Sequence, residues 1–280
     1  MFELLQYDFM QRALLAGILV GILCPVIGVF LILRRQSLIG DGLGHIAFAG
    51  VTAGWLLGVY PVLSATVVTV LSALGIEELR SRRPVFADMV LAIFFYSGIA
   101  VAIILSSMVK SNNVNLISYL FGSIVTVSES DVQTIAGLTV VVLGILFFIF
   151  KELVAVTFDE EAARVSGIPV KKINTMIAVL TALTVSVSMR IVGILLVSAL
   201  MVIPVAASLQ LSRSFRSTLI NAVIISEISV LAGLVLSFRA DLATGGTIVM
   251  TAVTIFIGAF LSKQLNGFSL ARMGTHKSEQ

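Results

Sequence analysis

The run Ser37-Leu38-Ile39-Gly40-Asp41-Gly42-Leu43-Gly44-His45 sets a carboxylate and an imidazole four residues apart. On a helix, residues at that spacing share one face and their side chains come within reach of each other. Carboxylate oxygen with imidazole nitrogen is a borderline donor pair that suits zinc or manganese. Gly40, Gly42 and Gly44 remove side chains around the pair, which admits a close neighbouring helix or an unwound backbone lining a cavity. A purely structural role is also open, with Asp41 capping a helix start and His45 filling packing space. Two donors do not complete a tetrahedral zinc site. A conducted ion, however, needs a site that it can leave. Water, another helix or a symmetric partner subunit could supply the remaining donors.

A second constellation lies in residues 151–172, KELVAVTFDEEAARVSGIPVKK. Glu161-Ala162-Ala163 is followed by Gly167 and then Pro169. This reads as a short helix whose alanines let a partner surface approach, stopped by a glycine and kept from continuing by a proline. A solvated loop with one helical turn has the same appearance. There is no G-x-x-x-x-G-K-[ST] pattern, so the chain does not cradle ATP phosphates in that way.

Other polar positions carry less. Glu227 lies inside an apolar stretch, where an acid is expensive unless paired or hydrated, and could line a pathway or face a subunit seam. Asp88 reads as a helix cap, and Arg239, Asp241 and His276 as solvated charge. Met189, Met201 and Met250 read as packing or lipid-facing residues. Pro25 and Pro204 should kink their segments.

The elements that position these groups follow from composition. Of 280 residues, 58% are hydrophobic and 12% charged, and mean hydropathy is +1.10. A soluble domain carries about a quarter charged residues, so there is too little polar surface here to face water. The expected class is an all-α polytopic bundle. Candidate spans fall at about 13–33, 43–59, 61–76, 89–109, 132–150, 173–189, 191–211, 218–237 and 246–262, each near the length needed to cross a bilayer. Because two connectors are very short, the count is eight or nine, with nine preferred.

Charge supports nine. Of the 18 lysines and arginines, only Arg12, Lys110, Arg190 and Arg239 then fall on one side. The positive-inside rule places that side outside the cell, with the N-terminus outside and the C-terminus in the cytoplasm. Residues 151–172 become a cytoplasmic loop. Residues 110–131 become an outer connector containing an amphipathic piece, Leu116–Phe121. Residues 1–264 form one transmembrane domain and 265–280 a polar tail. The acidic residues in MFELLQYDFMQR differ from the basic start of a secretory signal, so the first span is expected to stay. The single cysteine, Cys24, excludes an internal disulfide. The net charge of +3 is topological rather than a nucleic-acid surface.

Several separated segments carry a resemblance. Arg12-Ala13-Leu14-Leu15-Ala16-Gly17, Gly28-Val29-Phe30-Leu31-Ile32-Leu33-Arg34-Arg35 and the Ser37–His45 run resemble the zinc/manganese ABC importer permeases, relatives of the siderophore and cobalamin permeases. The likeness continues through Phe158-Asp159, Gly167-Ile168-Pro169, Val192–Val197, Ile203-Pro204 and Gly245–Val249, and covers residues 10–262. It implies a homodimer in the lipid bilayer of the cell membrane, two cytoplasmic ABC ATPase subunits and an extracytoplasmic metal-binding protein. It implies no permanent cofactor and no enzymatic activity in this chain, zinc or manganese being the cargo. The family's S-L-x-x-D-x-x-x-H motif falls on Asp41 and His45, which it implicates in the metal path. The family's coupling loop, EAA-x-x-x-G, falls on Glu161, Ala162, Ala163 and Gly167. The glycine-rich Gly40–His45 segment resembles the zinc members more than the manganese ones. Competing readings are a permease for a metal chelate such as a siderophore, a gradient-driven secondary transporter, and a non-transporting scaffold. The donor pair argues against the first, the lack of an internal repeat against the second, and the coupling loop together with the donor pair against the third.

Overall fold

The structure, a computed structural model, describes residues 6–82, 86–108, 118–123, 125, 127–194 and 196–275, with side chains described as far as residue 264. Among the described residues every regular element is helical. That is the form required where lipid offers no partner to backbone N–H and C=O groups. The helices are α1 (Asp8–Leu33), α2 (Ile39–Leu57), α3 (Pro61–Arg82), α4 (Ala87–Met108), α5 (Glu129–Phe158), α6 (Glu160–Val165), α7 (Val170–Ser188), α8 (Val197–Leu211), α9 (Phe215–Ala240) and α10 (Thr244–Thr275).

Seven of these, α1, α3, α4, α5, α7, α9 and α10, are long and apolar enough to cross a membrane. The apolar α8 is only 15 residues long. Helix α2 has 19 residues, but Asp41, His45 and its glycines keep it below the hydropathy of the other seven. The nine expected spans each coincide with one of these nine helices.

The boundaries differ where hydropathy and helicity part company. Helix α3 continues past the expected end at 76 to Arg82, and α5 past 150 to Phe158. Charged residues extend a helix out of the apolar layer without breaking it, as the Glu77–Arg80 and Glu78–Arg82 ion pairs do in α3. The expected span 191–211 becomes helical only at Val197, after turns over residues 189–194. Of the amphipathic piece 116–121, residues 116 and 117 lie outside the described residues and 118–121 form one helical turn. The backbone of α10 runs into the expected tail as far as Thr275, and residues 276–280 lie outside the described residues.

Helix α1 is the core of the bundle. Met10, Ala13, Ala16, Val20, Leu23, Ile27 and Phe30 are fully buried, and the helix packs on α5, α7, α8 and α9. In lipid such packing relies on close backbone approach rather than on exclusion of water. Gly28 shows it, since a Cβ there would overlap the Met201 carbonyl of α8. Near the end of α1, Phe30 packs edge-on to Phe150 (6.1 Å between centroids) and against Phe215 (5.7 Å). Helices α4 and α5 face outward, with Phe147 and Phe148 at least 80% exposed. Helix α2 lies against α3 and α4 and touches α8.

Candidate metal path and coupling surface

Asp41 stands in the first turn of α2, whose N-cap residue is Leu38, without a side-chain cap. The capping role open in the sequence is therefore not the one it takes. Its Oδ1 accepts a hydrogen bond from the hydroxyl of Ser198, the second residue of α8. Two glycines allow that meeting. A Cβ on Gly40 would lie 3.2 Å from Ser198 Cβ, and one on Gly44 would lie 3.1 Å from the Ile194 carbonyl oxygen. Gly42 has nothing within 4 Å and plays no such part.

Asp41 borders two cavities. One, of about 210 Å³ between α2 and α4, is lined by Leu38, Asp41, Asp88, Leu91, Ala92, Phe95 and Tyr96. The other, of about 320 Å³ between α2 and α8, is lined by Ser37, Leu38, Asp41, Ser198, Ala199, Val202 and Ile203. Among the described residues no lysine or arginine lines either cavity. His45, one turn along α2, is half-buried. Its ring meets Phe95 edge-on at 4.6 Å, and among the described residues nothing hydrogen-bonds to the imidazole.

This arrangement offers one free carboxylate oxygen, an imidazole nitrogen and a hydroxyl that can rotate to present a lone pair. Among the described residues no group of three or more His, Cys, Asp or Glu forms a metal cluster. The donor set fits a hydrated cation held briefly rather than a closed structural site. Cys24 takes no part. It is fully buried and paired with Ser188 Oγ at 3.2 Å.

Glu227 is placed elsewhere. It sits in α9 against α1, where a Cβ on Gly21 would come within 2.6 Å of its Oε1. That oxygen and the neighbouring Ser226 Oγ are buried without a partner among the described residues. The Met pair of the core, Met189 and Met201, is buried, while Met250 faces outward.

The segment 159–169 is a built surface. Asp159 caps α6 by accepting from Ala162 N at 2.9 Å, and Arg164 pairs with Glu160 at 3.2 Å. Ala163 is buried against the bundle, whereas Glu161 and Ala162 are exposed. Gly167 ends the unit with φ 84°, a left-handed conformation that favours glycine. Ile168 N closes the turn on Ala163 O at 3.1 Å. Val165, missed in the sequence, is 90% exposed and Phe158 66%. Lys171 of α7 reaches Glu78 of α3 at 2.8 Å, so the short helix is tied to two long ones.

A third site had no signal in the sequence. Asp131, in the first turn of α5, is 1% exposed. It accepts from Tyr60 OH and from an Arg190 guanidinium nitrogen, each at 2.5 Å. It also accepts from Ser128 N at 3.0 Å and Ser128 Oγ at 2.7 Å. The Arg190 guanidinium lies 4.8 Å from the centre of the Tyr119 ring. Burial opposes the charge on Arg190, but the hydrogen bond to Asp131 and the attraction of Tyr119, Asp131 and Tyr60 together outweigh it and hold the guanidinium above its ordinary value. Burial, then the hydrogen bond to Asp131, pushes Tyr60 upward. The connector 189–196 is thereby fastened. Gly193 adopts φ 89°, and Ile194 N donates to Tyr119 O at 2.9 Å. Only charge separated by 59 residues made this pair, and no local pattern announces it.

The profile of the ABC 3 transport family matches residues 6–263. The chain is 34% identical over 265 residues to the manganese transport system membrane protein MntC of Halalkalibacterium halodurans, covering 95% of this chain and 91% of that one. It is 30% identical over 258 residues to the high-affinity zinc uptake system membrane protein ZnuB of Haemophilus influenzae, covering 92% and 99%. Among solved structures, PsaBC from Streptococcus pneumoniae in complex with Fab superposes with a TM-score of 0.83 at 30% identity, covering 92% of each chain.

Proposed function

The chain belongs to the ABC 3 transport family, and from that premise we propose that it is the membrane-spanning subunit of an importer that carries a divalent transition metal into the cytoplasm, zinc first and manganese second. The observation that carries this reading is Asp41, a carboxylate set between two cavities that no lysine or arginine lines among the described residues, with the His45 imidazole one helical turn away. Relatives named for manganese and for zinc are nearly equally similar. The preference for zinc rests on the imidazole, a softer donor than the oxygens that suit manganese.

In the unloaded chain the Ser198 hydroxyl points its proton at Asp41. A cation arriving at Asp41 takes that oxygen, and the rotated hydroxyl offers a lone pair in place of its proton. Binding is thus coupled to the junction of α2 and α8. The remaining donors come from water or from a second copy across a homodimer seam. The chain itself performs no covalent step. ATP is hydrolysed on two separate cytoplasmic ABC subunits, which dock on α6 through Glu161, Ala162, Gly167 and the exposed Val165, while the buried Ala163 seats α6 on the bundle. Movement of α6 reaches α3 through α7 and the Lys171–Glu78 pair. An extracytoplasmic metal-binding protein delivers the ion.

The topology that serves this function has nine spans, the seven long apolar helices together with α2 and α8, with the N-terminus outside and the C-terminus in the cytoplasm. Helix α2 is tolerated at depth because Asp41 faces two cavities, and α8 because the fastened turns over 189–194 precede it.

The test is metal uptake into vesicles holding this chain with its cognate ATPase and binding protein, measured with labelled zinc and manganese in turn. ATP-dependent uptake of zinc, lost in Asp41→Ala and in His45→Ala with insertion intact, is the expected result. No uptake of either metal, or normal uptake in both variants, would overturn the reading.

A further inference from the structure

The cavity between α2 and α4 holds a second carboxylate that neither the donor motif nor the coupling segment includes. Asp88, in the first turn of α4, lines the same space of about 210 Å³ as Asp41. The rest of its wall is aliphatic and aromatic, and none of it is basic. Among the described residues no hydrogen bond or ion pair engages Asp88, and it is exposed. Two carboxylates on one cavity, with no lysine or arginine among its described lining residues, raise the local concentration of positive ions and favour their residence there.

The packing of α4 on α2 fixes the order of the two acids. A Cβ on Gly98 would lie 3.0 Å from Ile46 N and 3.3 Å from the His45 carbonyl carbon, so Gly98 is level with His45. Along α2, Asp41 lies roughly 7 Å before that level at 1.5 Å per residue. Along α4, Asp88 lies roughly 15 Å before it by the same rise. Both helices begin on the same side, the cytoplasmic one in the proposed topology. Asp88 therefore stands about 8 Å nearer the cytoplasm than Asp41 on that rise.

We propose that Asp88 is the release-side carboxylate of the cation path, receiving the ion from Asp41 and His45 and passing it to the cytoplasm. This rests on the Asp41/His45 reading. The half-buried site strips part of the ion's hydration, and the exposed carboxylate holds it loosely while water returns, as a site that must empty requires. Asp88 acts on departure and not on delivery.

The experiment uses the complete transporter in vesicles, with zinc and manganese as probes and Asp88→Asn, Asp88→Glu, Asp41→Ala and His45→Ala as variants. Asp88→Asn is expected to lower the maximal uptake rate about tenfold, the lower end of the concentrating effect of like-charged clefts. KM for the loaded binding protein should stay within twofold by the same reasoning, and Asp88→Glu should restore most of the rate. Wild-type uptake in Asp88→Asn, with Asp41→Ala and His45→Ala inactive, overturns the role of Asp88 and leaves the metal path standing. Full activity in Asp41→Ala and His45→Ala overturns the path and this proposal with it. A fall in uptake that follows a fall in thermal stability, and that glutamate does not repair, makes Asp88 a helix-start residue and also overturns the proposal.

Discussion

Asp41 and Asp131 both stand in the first turn of a long helix, and the chain treats them in opposite ways. Asp131 is sealed from solvent and accepts from a tyrosine hydroxyl, a serine hydroxyl, a backbone amide and a guanidinium. Its capacity as an acceptor is used up inside the protein. Asp41 is half-buried, receives one hydroxyl, and opens on two cavities. A carboxylate that fastens the fold is saturated, and one that handles an ion keeps coordination to spare. Partner count and charge compensation separate the two roles, where residue type and helix position do not.

The comparison breaks most sharply if the two acids respond alike to mutation. Arg190→Ala leaves Asp131 buried without its counter-charge, and a stability loss of about 3–5 kcal/mol is expected. Thermal unfolding in detergent reads it. Asp41→Asn keeps an oxygen acceptor for the Ser198 hydroxyl and loses only the charge assistance of that bond, so stability should change by less than about 2 kcal/mol, while uptake is abolished. A destabilised Asp41→Asn or an unaffected Arg190→Ala would erase the distinction.

Gly40→Val probes the approach of α8 to α2. The added side chain meets Ser198, and overpacking of this kind costs about 1–3 kcal/mol. Uptake should fall more than stability does, measured on the same preparation. Tyr60→Phe removes one donor from the charged Asp131 and should cost about 1.5–3 kcal/mol with uptake unchanged. Ser198→Ala removes the corresponding donor from Asp41. Its stability effect should be about the same size, but it should shift the KM for metal delivery. A KM shift in Tyr60→Phe, or none in Ser198→Ala, would show that the two acids are not separated as described.

Much of the ion site could be read along the chain because its parts are local. Asp41 and His45 lie one turn apart, and the Glu161–Gly167 unit is a single short helix with its own cap and stop. The helices were legible for the same reason, as apolar stretches mark where lipid lies. Their ends were not. In α3 the helix outlasts the apolar run because ion pairs within the helix, and Lys171 from α7, support its charged extension; α5 likewise runs on past Lys151 and Glu152 to Phe158. The partners of the two acids were also hidden. Ser198 lies 157 residues from Asp41 and Arg190 lies 59 from Asp131. Such meetings are decided by which helices pack together. Asp88 reads as a helix start in one dimension and becomes a cavity wall only when α4 lies on α2.

The polarity of α2 also bears on how the protein is made. A segment bearing an aspartate and a histidine enters lipid poorly when it arrives alone, since an aspartate costs up to about 2.5–3.5 kcal/mol on insertion scales, a ceiling for the helix centre that Asp41, in the first turn, does not reach. Helix α3 follows after residues 58–60, and Gly50 and Gly54 of α2 seat directly on Ala65, Ser64 and Pro61. The two helices are thus shaped to enter the bilayer together as a hairpin, with α3 supplying the apolar surface that α2 lacks. The polar groups proposed to handle the ion make α2 dependent on its neighbour during synthesis.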